Sequence, residues 1–280
     1  ALYHAKAKGR NNFQFYSAEL TARASERLTL ESELHKGIER NELELYYQPK
    51  FDLNSGRLVG CEALMRWNHP QRGMVPPDQF IPLAEDTGLI VQMGAWALHA
   101  ACTAAVGWNA YSAHPLKIAV NLSARQFPGG GLAQTVRDVL AATGCQPQWL
   151  ELEITESLLL DGSDDVRSVL EELSQLGITI AIDDFGTGYS ALSYLTRFPV
   201  QILKIDRSFI KDLPGNRGNA ELVKAIVSLG QSLNMALVAE GVETQEQATY
   251  LTSLGCELVQ GFLYGRPVAQ PAFSQWVDLA

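Results

Sequence analysis

The stretch Ile178–Ser190, ITIAIDDFGTGYS, constrains this chain more than any other. Its opening residues are β-branched or small and carry no charge. Such a run is too short for a buried helix and reads as a strand covered on both faces, the kind that parallel sheets use. The strand is expected to stop at Ile182, where Asp183 and Asp184 stand side by side ahead of a loop containing Gly186 and Gly188. Two adjacent carboxylates repel each other unless a cation sits between them, and an oxygen-seeking divalent metal is the usual one.

The neighbouring pattern repeats the unit. Strand-like runs fall at Leu116–Val120, Trp149–Ile154, Gln201–Ile205, Ala236–Ala239 and Glu257–Val259. Helical stretches fall at Pro77–Glu85, Ile90–Asn109, Leu132–Thr143, Val166–Leu176, Leu192–Thr196, Ala220–Asn234 and Gln245–Leu254. Alternation of this length suits a TIM-type (β/α) barrel better than an open sheet. Ahead of it, Leu43–Leu53 and Leu58–Trp67 are joined through Asn54-Ser55-Gly56, a hairpin composition, so the α/β barrel is expected to be modified by an antiparallel first strand. Ser17–Arg40 is charged and helix-favouring, with Leu20, Ala24, Leu28 and Leu34 loosely on one stripe.

Composition excludes several classes. A net charge of −9 argues against a nucleic-acid polymer as partner. Cys61, Cys102, Cys145 and Cys256 form no CxxC pair and read as reduced core thiols of a cytoplasmic protein. No apolar run is expected to reach the length of a membrane span. The chain starts at Ala1 without a methionine and reads as a piece of something longer, so inner-membrane anchoring through missing N-terminal segments stays open.

Chemistry concentrates where the strands end, since a parallel barrel gathers those positions on one face. In chain order they carry Glu62, Asn121, Glu153, Asp183 with Asp184, Lys204 with Asp206, Glu240 with Glu243, and Gln260. One polar residue leaving a strand is ordinarily a helix cap. Oxygen donors at strand after strand are not, and Glu and Lys cap poorly. Glu62, Asn121, Glu153 and Asp183 form a hard donor set suited to Mg²⁺ or Mn²⁺, and the lack of His or Cys among them argues against zinc. Asp184 allows a second ion with Asp183 as the bridge, the arrangement used for in-line attack on phosphodiesters. Lys204 would orient or polarise the attacking water, and Glu240 is the best-placed general base.

At this point the residues resemble a known family. CEALMRW (Cys61–Trp67), NLSARQF (Asn121–Phe127), ELEITE (Glu151–Glu156), DDFGTGYSAL (Asp183–Leu192), LKID (Leu203–Asp206), EGVET (Glu240–Thr244) and QGFLYGRP (Gln260–Pro267) are similar, in order, to the signatures of EAL-domain cyclic di-GMP phosphodiesterases. The resemblance implies two Mg²⁺ or Mn²⁺ ions and hydrolysis of cyclic di-GMP to linear 5′-pGpG, which ends second-messenger signalling. It implies Glu62, Asn121, Glu153 and Asp183 as ligands of one ion and Asp183 with Asp184 as ligands of the other. Lys204 and Glu240 match the pair that activates water, and Glu243 and Gln260 match its supporting shell. Gln48, Leu64, Arg66 and Asp206 match substrate-binding positions. Glu156 matches the anchor of a loop that couples the metal site to a homodimer partner, with Phe185 and Gly186 in that loop.

The first residues, ALYHAKAKGRNNF, resemble the end of a GGDEF-type cyclase domain. The implied layout is a remnant of that domain at 1–16, a linker helix at 17–29 and the phosphodiesterase domain at 30–280, with cyclase and sensory domains upstream. The substitutions Met65, Ala191 and Phe262 depart from the common pattern without touching an implied ligand. Two alternatives stay open: a catalytically weak cyclic di-GMP receptor, and an aldolase in which Lys204 forms a Schiff base.

Overall fold

In this computed structural model, residues 18–160, 163–186 and 195–277 are described. The expected remnant at 1–16, Gly188, Ala191 and most of the helix expected at Leu192–Thr196 lie outside them. The chain divides into two compact units, Ala1–Glu44 with Arg66–Ile90, and Leu45–Met65 with Val91–Ala280.

The smaller unit contains α1 (Ala18–Glu39), the short strand β3 (Gly73–Val75) and α2 (Pro77–Thr87). α1 continues without a break past residue 30, where a linker was expected to give way to the domain. Its apolar stripe is narrower than the sequence implies, because Leu34 is buried but Leu28 is 67% exposed. Arg27 pairs with Asp86 of α2, and Arg72 Nε, from the turn before β3, donates to Glu33 at 2.9 Å, so charges on α1 are bridged rather than simply solvated. Trp67 is fully buried, donates its indole N–H to Glu42 at 3.1 Å and meets Phe80 edge-on.

The larger unit is a closed eight-stranded barrel. β1 (Leu43–Asp52), β2 (Leu58–His69), β4 (Lys117–Asn121), β5 (Leu150–Thr155), β6 (Thr179–Phe185), β7 (Ile202–Ile205), β8 (Ala236–Ala239) and β9 (Leu258–Gln260) follow the order β1-β9-β8-β7-β6-β5-β4-β2, and β2 returns to β1. From β2 through β9 the barrel pairings are parallel, whereas β1 runs antiparallel to β9 with Lys50 opposite Gln260. This is the modified (β/α) barrel that the sequence implied. A further short strand, β10 (Val268–Ala269), pairs with β1 beside Tyr46 and Tyr47.

Around it lie α3 (Leu89–Asn109), α4 (Leu132–Thr143), α5 (Glu156–Leu160), α6 (Asp164–Gln175), α7 (Arg207–Ile210), α8 (Arg217–Ser232), α9 (Gln245–Leu254) and α10 (Gln270–Val277). α6 shows why such segments form helices. Ser163 caps its N-terminus through the Val166 amide, Asp164 and Asp165 favour the first turn, and Val166, Val169, Leu170 and Leu173 bury one face. α3 corrects the expectation of no membrane-length apolar run, since by length and composition it is long and apolar enough to cross a bilayer. Its apolar surface is used in the barrel core instead, through Ala97, Leu98, Ala101, Cys102, Ala104 and Ala105.

Inside the barrel, Ala181, Ile202 and Val238 form a small apolar layer. Side chains two apart along a strand share a face. That layer therefore lies one repeat below Asp183, Lys204 and Glu240. All four cysteines are free and buried, as expected of core thiols.

Candidate active site

The strand ends converge on one ammonium group. Lys204, at 0% exposure, places Nζ 2.6 Å from Glu153 Oε2, 2.7 Å from Glu240 Oε1, 3.0 Å from Asp183 Oδ1 and 3.6 Å from Glu62 Oε2. Glu62 is fixed on both oxygens, by Asn121 Nδ2 at 2.6 Å and Gln260 Nε2 at 2.7 Å. Gln260 also donates to Gln48 Oε1 at 3.0 Å, and Gln48 donates to the Gly265 carbonyl at 3.2 Å. The structure thus brings Gln48, Glu62, Asn121, Glu153, Asp183, Lys204, Glu240 and Gln260 into one connected cluster.

Asp184 arrives by a route the sequence did not show. β6 does not stop at Ile182; it continues to Phe185 through a register shift against β7 between Ile182 and Phe185. In a regular strand Asp183 and Asp184 would face opposite sides. The irregularity, with Asp184 at φ 54°, breaks that alternation. Asp183, Asp184 and Glu240 can each offer an oxygen within 4.8 Å of the others, as can Glu62, Glu153 and Asp183. Asp183 is common to both groups.

These groups fit divalent cations. All the donors are oxygens, the set that hard ions select. Among the described residues, two buried acceptors, Glu153 Oε1 and Gln260 Oε1, have no hydrogen-bond partner. A buried acceptor left so is costly unless something electropositive meets it.

Electrostatics separates the carboxyls. Burial pushes Glu240 up to about 7, with Asp183 and Glu62 adding repulsion and Lys204 pulling the other way. Burial also drives Glu153 well above the carboxylate range, reinforced by Glu62 against the pull of Lys204 and Lys50. Glu62 is likewise opposed by burial, but Lys204 and the donors Gln260 and Asn121 hold it below its ordinary value. Burial, Asp183 and Asp206 raise Asp184 to about 6. Burial would neutralise Lys204, yet Glu153, Glu240, Glu62 and Asp183 raise it well above the usual lysine value.

Above the cluster opens a cavity of about 710 Å³ lined by, among others, Gln48, Leu64, Arg207, Lys211, Glu243 and Phe262. Arg207, Ser208 and Lys211 were missed in the sequence. Arg207 and Ser208 open α7, one residue after the Lys204 strand, and Lys211 is its C-cap; two basic residues four apart just beyond that strand were the available signal. Lys50 was missed as well. It is buried, with Nζ 2.6 Å from Glu151 Oε1 and 3.6 Å from Glu153 Oε1, and its two-residue spacing from Gln48 was the clue.

Of the remaining expected residues, Asp206 is hydrogen-bonded to Asp184. Asp206 caps α7, with Oδ1 accepting from the Ser208 amide at 3.0 Å and from the Ser208 hydroxyl. Glu156 is buried, and its Oε2 accepts the Gly186 amide at 3.0 Å. Phe185 is buried in the barrel core opposite Ile205. Gly186 has φ 97°, which only glycine adopts without strain. The rest of the expected coupling loop lies outside the described residues. Arg66 belongs to the smaller unit.

Residues 31–267 match the EAL domain family. The chain is 49% identical over 268 residues to the bifunctional diguanylate cyclase/cyclic di-GMP phosphodiesterase MucR of Pseudomonas aeruginosa, covering 96% of this chain and 39% of that protein. It is 43% identical over 277 residues to the cyclic di-GMP phosphodiesterase NbdA of the same organism, covering 99% of this chain and 35% of that protein. The chain therefore spans well under half the length of these relatives. Among solved structures, that of the PaMucR phosphodiesterase with c-di-GMP superposes with a TM-score of 0.84 at 48% identity, covering 88% of this chain and 99% of that one. With the barrel, the acidic strand ends and a match over most of its length, the chain belongs to the EAL-domain family.

Proposed function

We propose that this chain hydrolyses cyclic di-GMP to linear 5′-pGpG with the help of two divalent cations, Mg²⁺ or Mn²⁺. The observation that carries the reading is the ring of Glu62, Glu153, Asp183 and Glu240 around Lys204 at the floor of the cavity. The names of MucR and NbdA support the same reaction class.

Glu62, Asn121, Glu153 and Asp183 would hold one ion, and Asp183 with Asp184 the other. Bound ions supply Lewis-acid charge to a phosphoryl oxygen and make water a stronger acid. Glu240 takes the proton from the attacking water; a carboxyl held at about 7 is well matched to that transfer near neutral pH. Attack at phosphorus breaks the P–O3′ bond, leaving a 5′-phosphate on one nucleotide and a 3′-hydroxyl on the other. Lys204 holds Glu240, Asp183 and Glu153 in one orientation and offsets negative charge at the reacting phosphate. Gln48, Leu64 and Asp206 serve the substrate, with Arg207 and Lys211 adding positive charge at the cavity wall. In the full-length protein a homodimer and upstream cyclase and sensory domains complete the picture, and the bifunctional name of MucR supports the cyclase partner.

The deciding experiment incubates the protein with cyclic di-GMP and Mg²⁺ or Mn²⁺ and looks for pGpG. Product formation that stops with EDTA is expected. Tight cyclic di-GMP binding without product under any metal condition would replace the enzyme reading with that of a receptor.

A further inference from the structure

Beneath the acidic ring lies a second pair of charges for which the proposed reaction has no use. Lys50, from the antiparallel strand β1, and Glu151, one repeat below Glu153 on β5, are both buried at 4% and 1% exposure. Neither lines the cavity, so neither is placed to touch a substrate. Burying an ion pair costs desolvation that its mutual attraction does not always recover, and apolar residues of similar size often serve stability as well or better. A buried pair directly below a metal-binding ring therefore calls for a reason other than stability.

The geometry supplies one. Lys50 Nζ donates to Glu151 Oε1 at 2.6 Å and faces Glu153 Oε1 at 3.6 Å. The other oxygen of Glu153, Oε2, accepts from Lys204 at 2.6 Å. The two oxygens of Glu153 are thus divided between two ammonium groups, one in the ring and one beneath it. Among the described residues Oε1 accepts no hydrogen bond, so with Oε2 on Lys204 the rotation left to the carboxylate depends on the charge of Lys50. Lys50 is itself held in place by Glu151.

We propose that Lys50, braced by Glu151, is a positioning residue for Glu153: it fixes the rotation of that carboxylate and so the geometry of the proposed metal site. The inference rests on the metal-dependent reading above and deepens it. Partners behind a metal ligand typically change affinity or activity by about 10–100-fold when removed.

The test uses Mn²⁺ titration followed by electron paramagnetic resonance, alongside steady-state kinetics and thermal melting. Lys50→Met is expected to weaken Mn²⁺ binding by about tenfold or more and to lower kcat, with KM for cyclic di-GMP unchanged. Because that variant strands Glu151, the deciding protein is the double variant Lys50→Met/Glu151→Met, which replaces the pair by apolar side chains. If it melts like the wild type yet still binds Mn²⁺ at least tenfold more weakly, Lys50 acts on Glu153. If it binds Mn²⁺ as tightly as the wild type, Lys50 is only the counter-ion of Glu151 and the proposal is overturned. Wild-type Mn²⁺ binding and pGpG formation are read in the same series, so failure of the positioning role is separable from failure of the metal reading.

Discussion

Glu240 and Lys204 are 2.7 Å apart, yet removing either has a different consequence. Glu240→Gln keeps the shape and loses the proposed proton acceptor. A fall in kcat of about 10²–10⁴-fold with cyclic di-GMP binding retained is expected, checked by single-turnover kinetics and calorimetry. Unchanged turnover would mean that another group takes the proton. Arg207 lies at the cavity wall rather than in the ring. Arg207→Ala should raise KM by about tenfold, the worth of a charge-assisted hydrogen bond, with little change in kcat. That rise should shrink in high salt. The ring was legible in the sequence because each member lies within or just after a strand that a short apolar run announces. Lys50 and Glu151 were not, since a charged residue inside a strand ordinarily points to water. Only barrel closure shows that both point inward.

At the scale of elements, the instructive case is the end of β6. The apolar run Ile178–Ile182 gave the strand, but hydrophobicity says nothing about where hydrogen-bonded pairing stops, and pairing continues through both aspartates to Phe185. α7 and β10 are too short to impose a period on the sequence, which is why neither was anticipated. Gly186, at φ 97°, would place a side-chain carbon 3.0 Å from the Phe209 ring. Gly186→Ala is expected to cost about 1–3 kcal/mol, seen as a lower Tm in calorimetry. The hairpin between β1 and β2 offers a pH signature. Hydrogen bonds from the Ser55 amide and hydroxyl hold Asp52 below its ordinary value of 3.8. A depressed carboxyl stabilises the fold above its unfolded pKa, and the contribution is lost as pH falls through the folded value. The Tm difference between wild type and Asp52→Asn should therefore be present at neutral pH and vanish in acid. A difference that grows in acid would contradict the cap.

For the whole molecule, the raised carboxyls set the linkage between cations and stability. Glu240 at about 7 and Asp184 at about 6 favour the protonated form when no ion is bound. Their contribution to the stability of the cation-free protein then falls as pH rises from the ordinary carboxylate range toward neutrality, the opposite sign to Asp52. A divalent ion binds the ionised forms, so it must displace protons below that range and need not above it. The rise in Tm produced by Mn²⁺ should be larger at pH 8 than at pH 6, with proton release measurable in weakly buffered solution. Equal shifts at both pH values would separate the carboxyls from ion binding.

The same barrel has a consequence for its own synthesis. β1 pairs with β9, and Gln260 reaches back to Gln48 and Glu62 across 212 and 198 residues. A growing chain carries Glu62 on the order of 10–40 s before Gln260 leaves the ribosome, at the usual elongation rates. Until then the first strand has β2 on one side and lacks β9 on the other, and Glu62 lacks one of the two side chains that fix it. The last barrel strand is thus a completeness check: a product cut short just before it carries the whole acidic ring but lacks the side chain that locks Glu62 into place.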